Sequence, residues 1–371
     1  MNFDIVVTTL LGLESICARE IKKLGYDAKC EDGRVLFSGD EDAVASANIN
    51  LRTGERVLIK VGEFKAETFE ELFENTKKIC WSNFISLGGA FPVVGHSLKS
   101  KLKSVPDCQK IIKKAIATSL GKSYSQEFLP EDGPVFKIRF SIRKDVVTLM
   151  IDTSGEPLYK RGYRTESNKA PLRETIAAAM VLLSFWKFET PLIDPFCGSG
   201  TILIEAAMFK RNIAPGLNRK FAGEEFPYLS HDVWERQRSI SSAAQRDISL
   251  KIFGSDIDPQ CLTIAENNAK RAGVADCIEF KLKDARSFCT TEEYGAVICN
   301  PPYGERIGDK KQCELLYKSI GQAFKNNPKW SYYILTSHDE FEQLYGKKAD
   351  KRRKVYNGMI KCNIYQYFGI K

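Results

Sequence analysis

Leu192-Ile193-Asp194-Pro195-Phe196-Cys197-Gly198-Ser199-Gly200-Thr201 reads as an apolar strand that ends in a carboxylate, followed by a glycine-containing loop that opens a helix. Gly198 and Gly200 let the backbone approach a ligand closely, at the strand end where open α/β sheets bind their ligands. A nicotinamide dinucleotide would call for a third Gly or Ala at position 203, where the chain has Leu203, and would leave Asp194 close to phosphates. A cofactor with a cationic amino-acid end and no phosphate fits better, and S-adenosylmethionine is one. A tight turn whose glycines serve geometry alone is the competing reading of this stretch.

Further carboxylates follow at the ends of the next strands. Gly254-Ser255-Asp256-Ile257-Asp258 closes a second strand, where an acidic side chain can accept both hydroxyls of a ribose, and Lys283-Asp284-Ala285 closes a third, where a carboxylate can accept from an adenine amino group. The fourth strand ends in Cys299-Asn300-Pro301-Pro302-Tyr303-Gly304. An exocyclic amino group on a base is a poor nucleophile because its lone pair is delocalised into the ring. The side-chain oxygen of Asn300 and the carbonyl of Pro301 can each accept one N–H and draw that nitrogen towards tetrahedral geometry. Two prolines hold the backbone extended, and Tyr303 can supply a face for a base swung out of its stack. Taken alone, this motif could equally be a Pro-Pro turn after a strand.

Around these motifs strands alternate with helices. Pro171 suits a first helical turn, and Leu172, Ile176, Met180 and Leu183 then recur at helical spacing. Strands are expected at 192–194, 252–256, 278–282, 296–299 and 332–336, with helices at 201–210 and 259–272. This order predicts a doubly wound, Rossmann-like, mostly parallel α/β sheet. Asn357-Gly358 between apolar runs adds a C-terminal antiparallel hairpin. The first 150 or so residues have a different texture: strands at 3–8, 34–38, 91–95, 135–142 and 145–152 with helices at 12–24 and 106–120, which is an α+β pattern. A Gly-, Pro- and charge-rich stretch, 154–164, separates the two patterns.

At these residues the chain resembles the class I S-adenosylmethionine-dependent methyltransferases, in the amino-group branch that carries Asn-Pro-Pro-Tyr. The resemblance implies that Asp194, Phe196, Gly198 and Gly200 contact the methionine end and Asp256 the ribose, with Pro195, Thr201 and Ile257 also among the cofactor-binding residues. It places Asp284 with Ala285 at the adenine, and Asn300, Pro301, Pro302 and Tyr303 at the target base, with Asn300 also beside the cofactor. Pro171, in Ala170-Pro171-Leu172, would wall the cofactor pocket. The N-terminal half resembles a ferredoxin-like module followed by a THUMP domain, an RNA-binding unit. The expected boundaries are 1–65 for the first module, 66–155 for THUMP, 156–170 for a linker and 171–371 for the methyltransferase domain. Lys99, Lys101 and Lys103 in a Ser/Lys stretch are the RNA-contact candidates. As a whole the chain resembles bacterial THUMP methyltransferases that modify guanine N2 of 23S ribosomal RNA, which implies RNA as partner and S-adenosylhomocysteine as co-product. Asn-Pro-Pro-Tyr alone leaves adenine N6 of DNA open, and a non-catalytic RNA-binding protein is a third reading.

Composition is compatible with this picture. The 371 residues include 55 Lys and Arg against 47 Asp and Glu, a net charge of +8, and 43% are hydrophobic. That permits nucleic acid without requiring it. No apolar run approaches a membrane span and Asp4 interrupts any signal-like start, so a cytoplasmic protein is expected. The 11 cysteines include no CxxC pair, and His96, His231 and His338 lie far apart, so no metal site is expected. Cys197 and Cys299 flank the expected site and admit a competing C5-pyrimidine chemistry with a thiolate nucleophile, although Asn300 occupies the important place in the motif. A basic, aromatic-rich insertion between Phe209 and Leu250 reads either as a substrate grip or as a packed lid.

Overall fold

The structure is a computed structural model that describes residues 1–165, 172–303, 310–358 and 360–370. The chain folds as two compact units, one comprising Met1–Thr8, Ala18–Leu158 and Arg219–Ile240, the other Thr9–Cys17, Tyr159–Asn218 and Ser241–Lys371. Among the described residues no helix is long and apolar enough to cross a membrane.

The first unit is built on seven strands: β1 (Phe3–Thr9), β2 (Lys29–Glu31), β3 (Arg34–Gly39), β4 (Gly54–Lys65), β5 (Val93–Leu98), β6 (Ile138–Arg143) and β7 (Val146–Asp152). They form one sheet in the order β2-β3-β1-β4-β7-β6-β5. The ferredoxin-like and THUMP strands therefore share a sheet, because β4 has β1 on one side and pairs antiparallel with β7 on the other, Leu58 opposite Asp152. Ile5, Val7 and Val35 on one face, and Ile138, Phe140 and Ile142 further along, are fully or almost fully buried. Helices α1 (Glu14–Lys23), α2 (Glu41–Asn50), α3 (Phe69–Lys77) and α4 (Val105–Tyr124) complete the α+β pattern. Their starts are locally encoded: Asp40 accepts the Ala43 N–H, Thr68 and Glu71 form a capping box, and Ser104 caps the turn that holds Pro106. β5 and β6 begin later than expected, at Val93 and Ile138. Pro92 and Pro134 bring no N–H to a ladder, and Ala90 and Val135 make only an isolated bridge.

Residues 219–240 of the insertion belong to this unit. Phe226 stacks on Phe136 at 4.7 Å, Tyr228 meets Phe84 edge-on at 5.6 Å, and Phe221 stacks on Trp234 at 5.4 Å. Arg236 pairs with Asp42 at 2.7 Å, and Arg238 with Glu224 at 2.7 Å. Phe221, Phe226 and Trp234 are buried, so the insertion is a packed element here, with its aromatic rings spent on the core. Its helix α5 runs from His231 to Ala243.

The second unit holds β8 (Leu192–Asp194), β9 (Ile252–Asp256), β10 (Ile278–Leu282), β11 (Ala296–Cys299), β12 (Ser331–Thr336), β13 (Lys351–Asn357) and β14 (Ile360–Tyr367), in the order β10-β9-β8-β11-β12-β14-β13. β8, β9, β10, β11 and β12 are parallel, and β14 is antiparallel to both β12 and β13. This is the class I methyltransferase sheet with its terminal hairpin. The strand order reverses between β8 and β11, and that switch point is where such sheets open a ligand crevice. The helices are α6 (Glu174–Leu183), α7 (Thr201–Lys210), α8 (Pro259–Arg271), α9 (Lys310–Lys325) and the short α10 (Phe341–Tyr345). α7 is buried from Thr201 to Met208 because apolar neighbours cover it on all sides. One core lies against α6 and α7, and a second, aromatic core of Tyr317, Phe324, Trp330 and Tyr332 lies among α9, β11 and β12.

Candidate active site

The loop after β8 is fixed by two glycines with positive φ, Gly198 at 51° and Gly200 at 78°. Gly200 caps α7 in the left-handed region, and a Cβ on it would meet the Cβ of Ala265 at 3.1 Å; a Cβ on Gly198 would point into open space. The Gly198 N–H donates to Asp256 Oδ2 at 2.9 Å, which ties this loop to the end of β9. Asn268 of α8 braces it from below, its Nδ2 donating to the Ser199 carbonyl at 3.1 Å.

Asp194 ends β8 almost wholly buried, with one oxygen accepting the Phe196 N–H at 3.0 Å. Burial pushes its carboxyl well above the ordinary aspartate range, and the negative charge of Asp256 adds to that push. A cationic ligand group beside it would reverse both effects, so the site suits an ammonium. Asp256 Oδ1 accepts the Asp258 N–H at 3.1 Å, so each carboxylate oxygen is positioned by backbone and still has lone-pair capacity. The neighbouring Ile257 is 71% exposed, an apolar surface offered next to a polar one. Asp284 accepts the Arg286 N–H at 2.8 Å and is ion-paired with the Arg286 guanidinium, which lowers its pKa. Ala285 is buried beside it.

Asn300 leaves β11 at the switch point. Its Oδ1 is buried, and among the described residues no donor reaches it. Such an acceptor costs about 1–3 kcal/mol when left unpaired, and its persistence at a strand end is the expected mark of a ligand contact. The Pro302 carbonyl is held by the Tyr317 hydroxyl at 2.9 Å and the Cys313 thiol at 3.6 Å. Tyr303 differs from expectation: only 3% of it is open, and its hydroxyl accepts from Asn357 Nδ2 of the hairpin at 3.3 Å. Its ring is packing that seats the motif on β13 and β14, and no broad stacking face is available as it stands.

The two cysteines beside the site are buried, and burial pushes both thiols well above the usual range. Burial thus disfavours a thiolate at either position, which counts against a C5-pyrimidine mechanism.

Sequence reading missed several residues that build the site. Arg164 pairs with Glu174 at 2.7 Å, donates to the Leu172 carbonyl at 2.7 Å and reaches Thr201 Oγ1 at 3.4 Å, linking the start of α6 to the glycine loop. Arg161 and Tyr163 meet the buried Glu205 of α7 at 3.4 and 3.1 Å. These lie in the stretch read as a boundary, whose tyrosine and arginines were the available signal. Pro171, like Ala170 and Gly304, lies outside the described residues. In the first unit Lys99, Lys101 and Lys103 are exposed; Lys101 is paired with Glu67, whose carboxyl is held down at about 2 by Lys101 and Lys65.

Residues 161–366 match the model of the RMKL-like methyltransferase domain, 4–58 the RlmL ferredoxin-like domain and 66–152 the THUMP domain. A Bacillus subtilis protein named as a candidate RNA methyltransferase, YpsC, is 47% identical over 99% of the chain and 96% of its own length. The ribosomal RNA large subunit methyltransferase K/L of Vibrio cholerae is 34% identical over 99% of the chain, which spans 53% of that longer protein. Among solved structures, a Listeria monocytogenes protein described as a candidate N6-adenine-specific DNA methylase superposes with a TM-score of 0.95 at 48% identity, covering 100% of this chain and 97% of that one. SMU.472, a candidate methyltransferase complexed with SAH, superposes with a TM-score of 0.94 at 44% identity over 100% and 99%.

Proposed function

The chain belongs to the RMKL-like methyltransferase family, and from that premise we propose that it transfers a methyl group from S-adenosylmethionine to an exocyclic amino group of RNA, guanine N2 of 23S ribosomal RNA. The observation that carries the reading is the buried Oδ1 of Asn300, without a hydrogen-bond partner among the described residues, at the strand end next to the glycine loop. It is an acceptor waiting for an N–H.

When bound, S-adenosylmethionine supplies a methyl already activated by its sulfonium. Asp194 takes the ammonium of the methionine end, and the loop at Gly198 and Gly200 leaves room for the carboxylate end. Asp256 accepts from the ribose, and Ile257 lies against the adenine. Asp284 accepts the adenine amino group with the lone pairs that Arg286 leaves free. Asn300 Oδ1 and the Pro301 carbonyl each accept an N–H of the target amine and aim its lone pair at the methyl carbon. A sulfonium methyl donor held here would deliver its methyl to that lone pair, and as positive charge grows on the amine nitrogen Asn300 Oδ1 and the Pro301 carbonyl hold its N–H groups more strongly than in the ground state. The extra proton then leaves to solvent, so no strong base is required. The THUMP domain supports RNA as the substrate, with Lys99 and Lys103 as phosphate contacts.

The K/L relatives, by their printed names, act on large-subunit ribosomal RNA, and this favours ribosomal RNA over DNA. The likeness to a protein described as an N6-adenine DNA methylase keeps that substrate as the second reading. Labelled S-adenosylmethionine with unmodified ribosomal RNA and, separately, unmethylated DNA distinguishes the two. Label in N2-methylguanosine is expected; label confined to N6-methyladenine of DNA would overturn the substrate assignment and leave the chemistry of Asn300 in place.

A further inference from the structure

The geometry points to His338 as a base-contacting residue that orients the target base, an inference that rests on the amino-methylation reading above. β11 and β12 are parallel, with Cys299 opposite Ile334, so the chain leaves both strands at the same edge of the sheet. Asn300 is one residue beyond β11 and His338 two beyond β12. The His338 ring stands edge-on to Tyr317, centroids 5.6 Å apart at 87°, and the Tyr317 hydroxyl donates to the Pro302 carbonyl. The His338 N–H donates to Thr336 Oγ1 at 3.1 Å, and Thr336 Oγ1 is 3.0 Å from that same Tyr317 hydroxyl. The imidazole is therefore seated by the parts that seat the Asn-Pro-Pro-Tyr motif.

Its protonation pattern follows from its partners. His338 Nδ1 accepts the Glu340 N–H at 3.2 Å, so in the neutral ring Nδ1 is bare and the proton sits on Nε2. Nε2 is buried, and among the described residues it has no hydrogen-bond partner. Two buried, unpartnered polar atoms thus lie beyond neighbouring strands: an acceptor, Asn300 Oδ1, and a donor, His338 Nε2–H. That pair is the complement of an amidine edge, in which an amino group donates and the adjacent ring nitrogen accepts. In guanine that nitrogen is N3, beside N2. A donor placed there fixes the orientation of the base: it pairs with N3 of guanine, whereas against the N1–H on the other side of the amino group the buried N–H would be left unpaired.

Two substitutions separate this role from a structural one. Asn at 338 reproduces the Nδ1 acceptor for the Glu340 N–H but ends short of the ε position; Gln places an amide N–H near it. With in-vitro-transcribed large-subunit ribosomal RNA, His338→Asn is expected to lower kcat/KM for RNA at least ~10-fold. His338→Gln should keep most of it, and both should bind S-adenosylhomocysteine within about twofold of wild type. Equal losses in the two variants, undiminished turnover in His338→Asn, or loss of S-adenosylhomocysteine binding would each overturn the proposal. If the wild type labels adenine or DNA instead, the substrate reading fails by itself. The Asn and Gln variants compared on the labelled substrate still decide the role of His338, since adenine presents the same edge at N6 and N1.

Discussion

The hydroxyl of Tyr317 donates to the carbonyl of Pro302 at 2.9 Å, fastening α9 to the backbone of Asn-Pro-Pro-Tyr. Thr336, at the end of β12, closes the arrangement at 3.0 Å from the same hydroxyl. Removing that donor leaves the carbonyl with the weaker Cys313 thiol alone. Tyr317→Phe is therefore expected to cost about 1 kcal/mol of stability and to lower kcat ~10-fold with S-adenosylmethionine affinity unchanged. Denaturant unfolding, steady-state kinetics and calorimetry test the three parts. A fall in cofactor affinity equal to the fall in kcat would show that Tyr317 does not act on the Pro302 carbonyl.

Asp256 holds the Gly198 N–H, and in the proposed site its remaining lone pairs would take the ribose. Asp256→Ala removes both and should weaken S-adenosylmethionine binding at least ~10-fold, read by titration calorimetry. Asp256→Asn retains an acceptor for Gly198 and should fall between. Unchanged affinity in the alanine variant would mean that the ribose lies elsewhere.

Glu174 gives a pH dependence with a defined sign. Burial raises its carboxyl from 4.5 to about 7, opposed by the Arg164 guanidinium. Because the folded value is above the unfolded one, the native state binds more protons in this window. The contribution of this group to stability is full below pH 4.5 and is lost as pH rises through about 7. Thermal unfolding of wild type and Glu174→Gln, compared between about pH 4.5 and pH 8, should show the wild type losing ground to the variant as pH rises. Parallel curves would contradict the burial argument.

Cys197 and Cys299 are expected to resist alkylation in the native protein, while the exposed Cys30, Cys80 and Cys289 react first. Cys299→Ala should retain turnover within about threefold. Abolished turnover in a folded variant, or a covalent adduct with RNA through either cysteine, would restore the nucleophilic mechanism. Mass spectrometry of the intact protein reads both.

The second unit was legible because its signals are local. Strands 192–194, 252–256, 278–282 and 296–299 stand where the sequence placed them, each an apolar run stopped by a carboxylate, a charged turn or Asn-Pro-Pro. The stretch between β3 and β5 raised no expectation, for a physical reason. α2 buries every residue from Ala43 to Ile49, so it has no amphipathic stripe, and β4 is bulged between Lys60 and Gly62, which breaks its alternation; α3, by contrast, carried a local signal in its Thr68–Glu71 capping box. The site divides in the same way. Asp194, Asp256, Asp284 and Asn300 are strand-end residues and readable as such. Tyr317, Thr336, Asn268 and Arg164 matter only through contacts with segments distant in sequence, which no local pattern encodes. The packing of Tyr303 is not legible locally, because its neighbours in space, Asn357 and Cys362, come from the hairpin more than fifty residues later.

If Asn300 Oδ1 readies the target amine, its loss must fall on the chemical step and spare cofactor binding. The most direct measurement is single-turnover methyl transfer to ribosomal RNA by Asn300→Ala, alongside calorimetric S-adenosylmethionine binding by the same variant. The account predicts a rate at least ~100-fold below wild type, with cofactor affinity within about twofold. Wild-type methyl transfer by Asn300→Ala would contradict it.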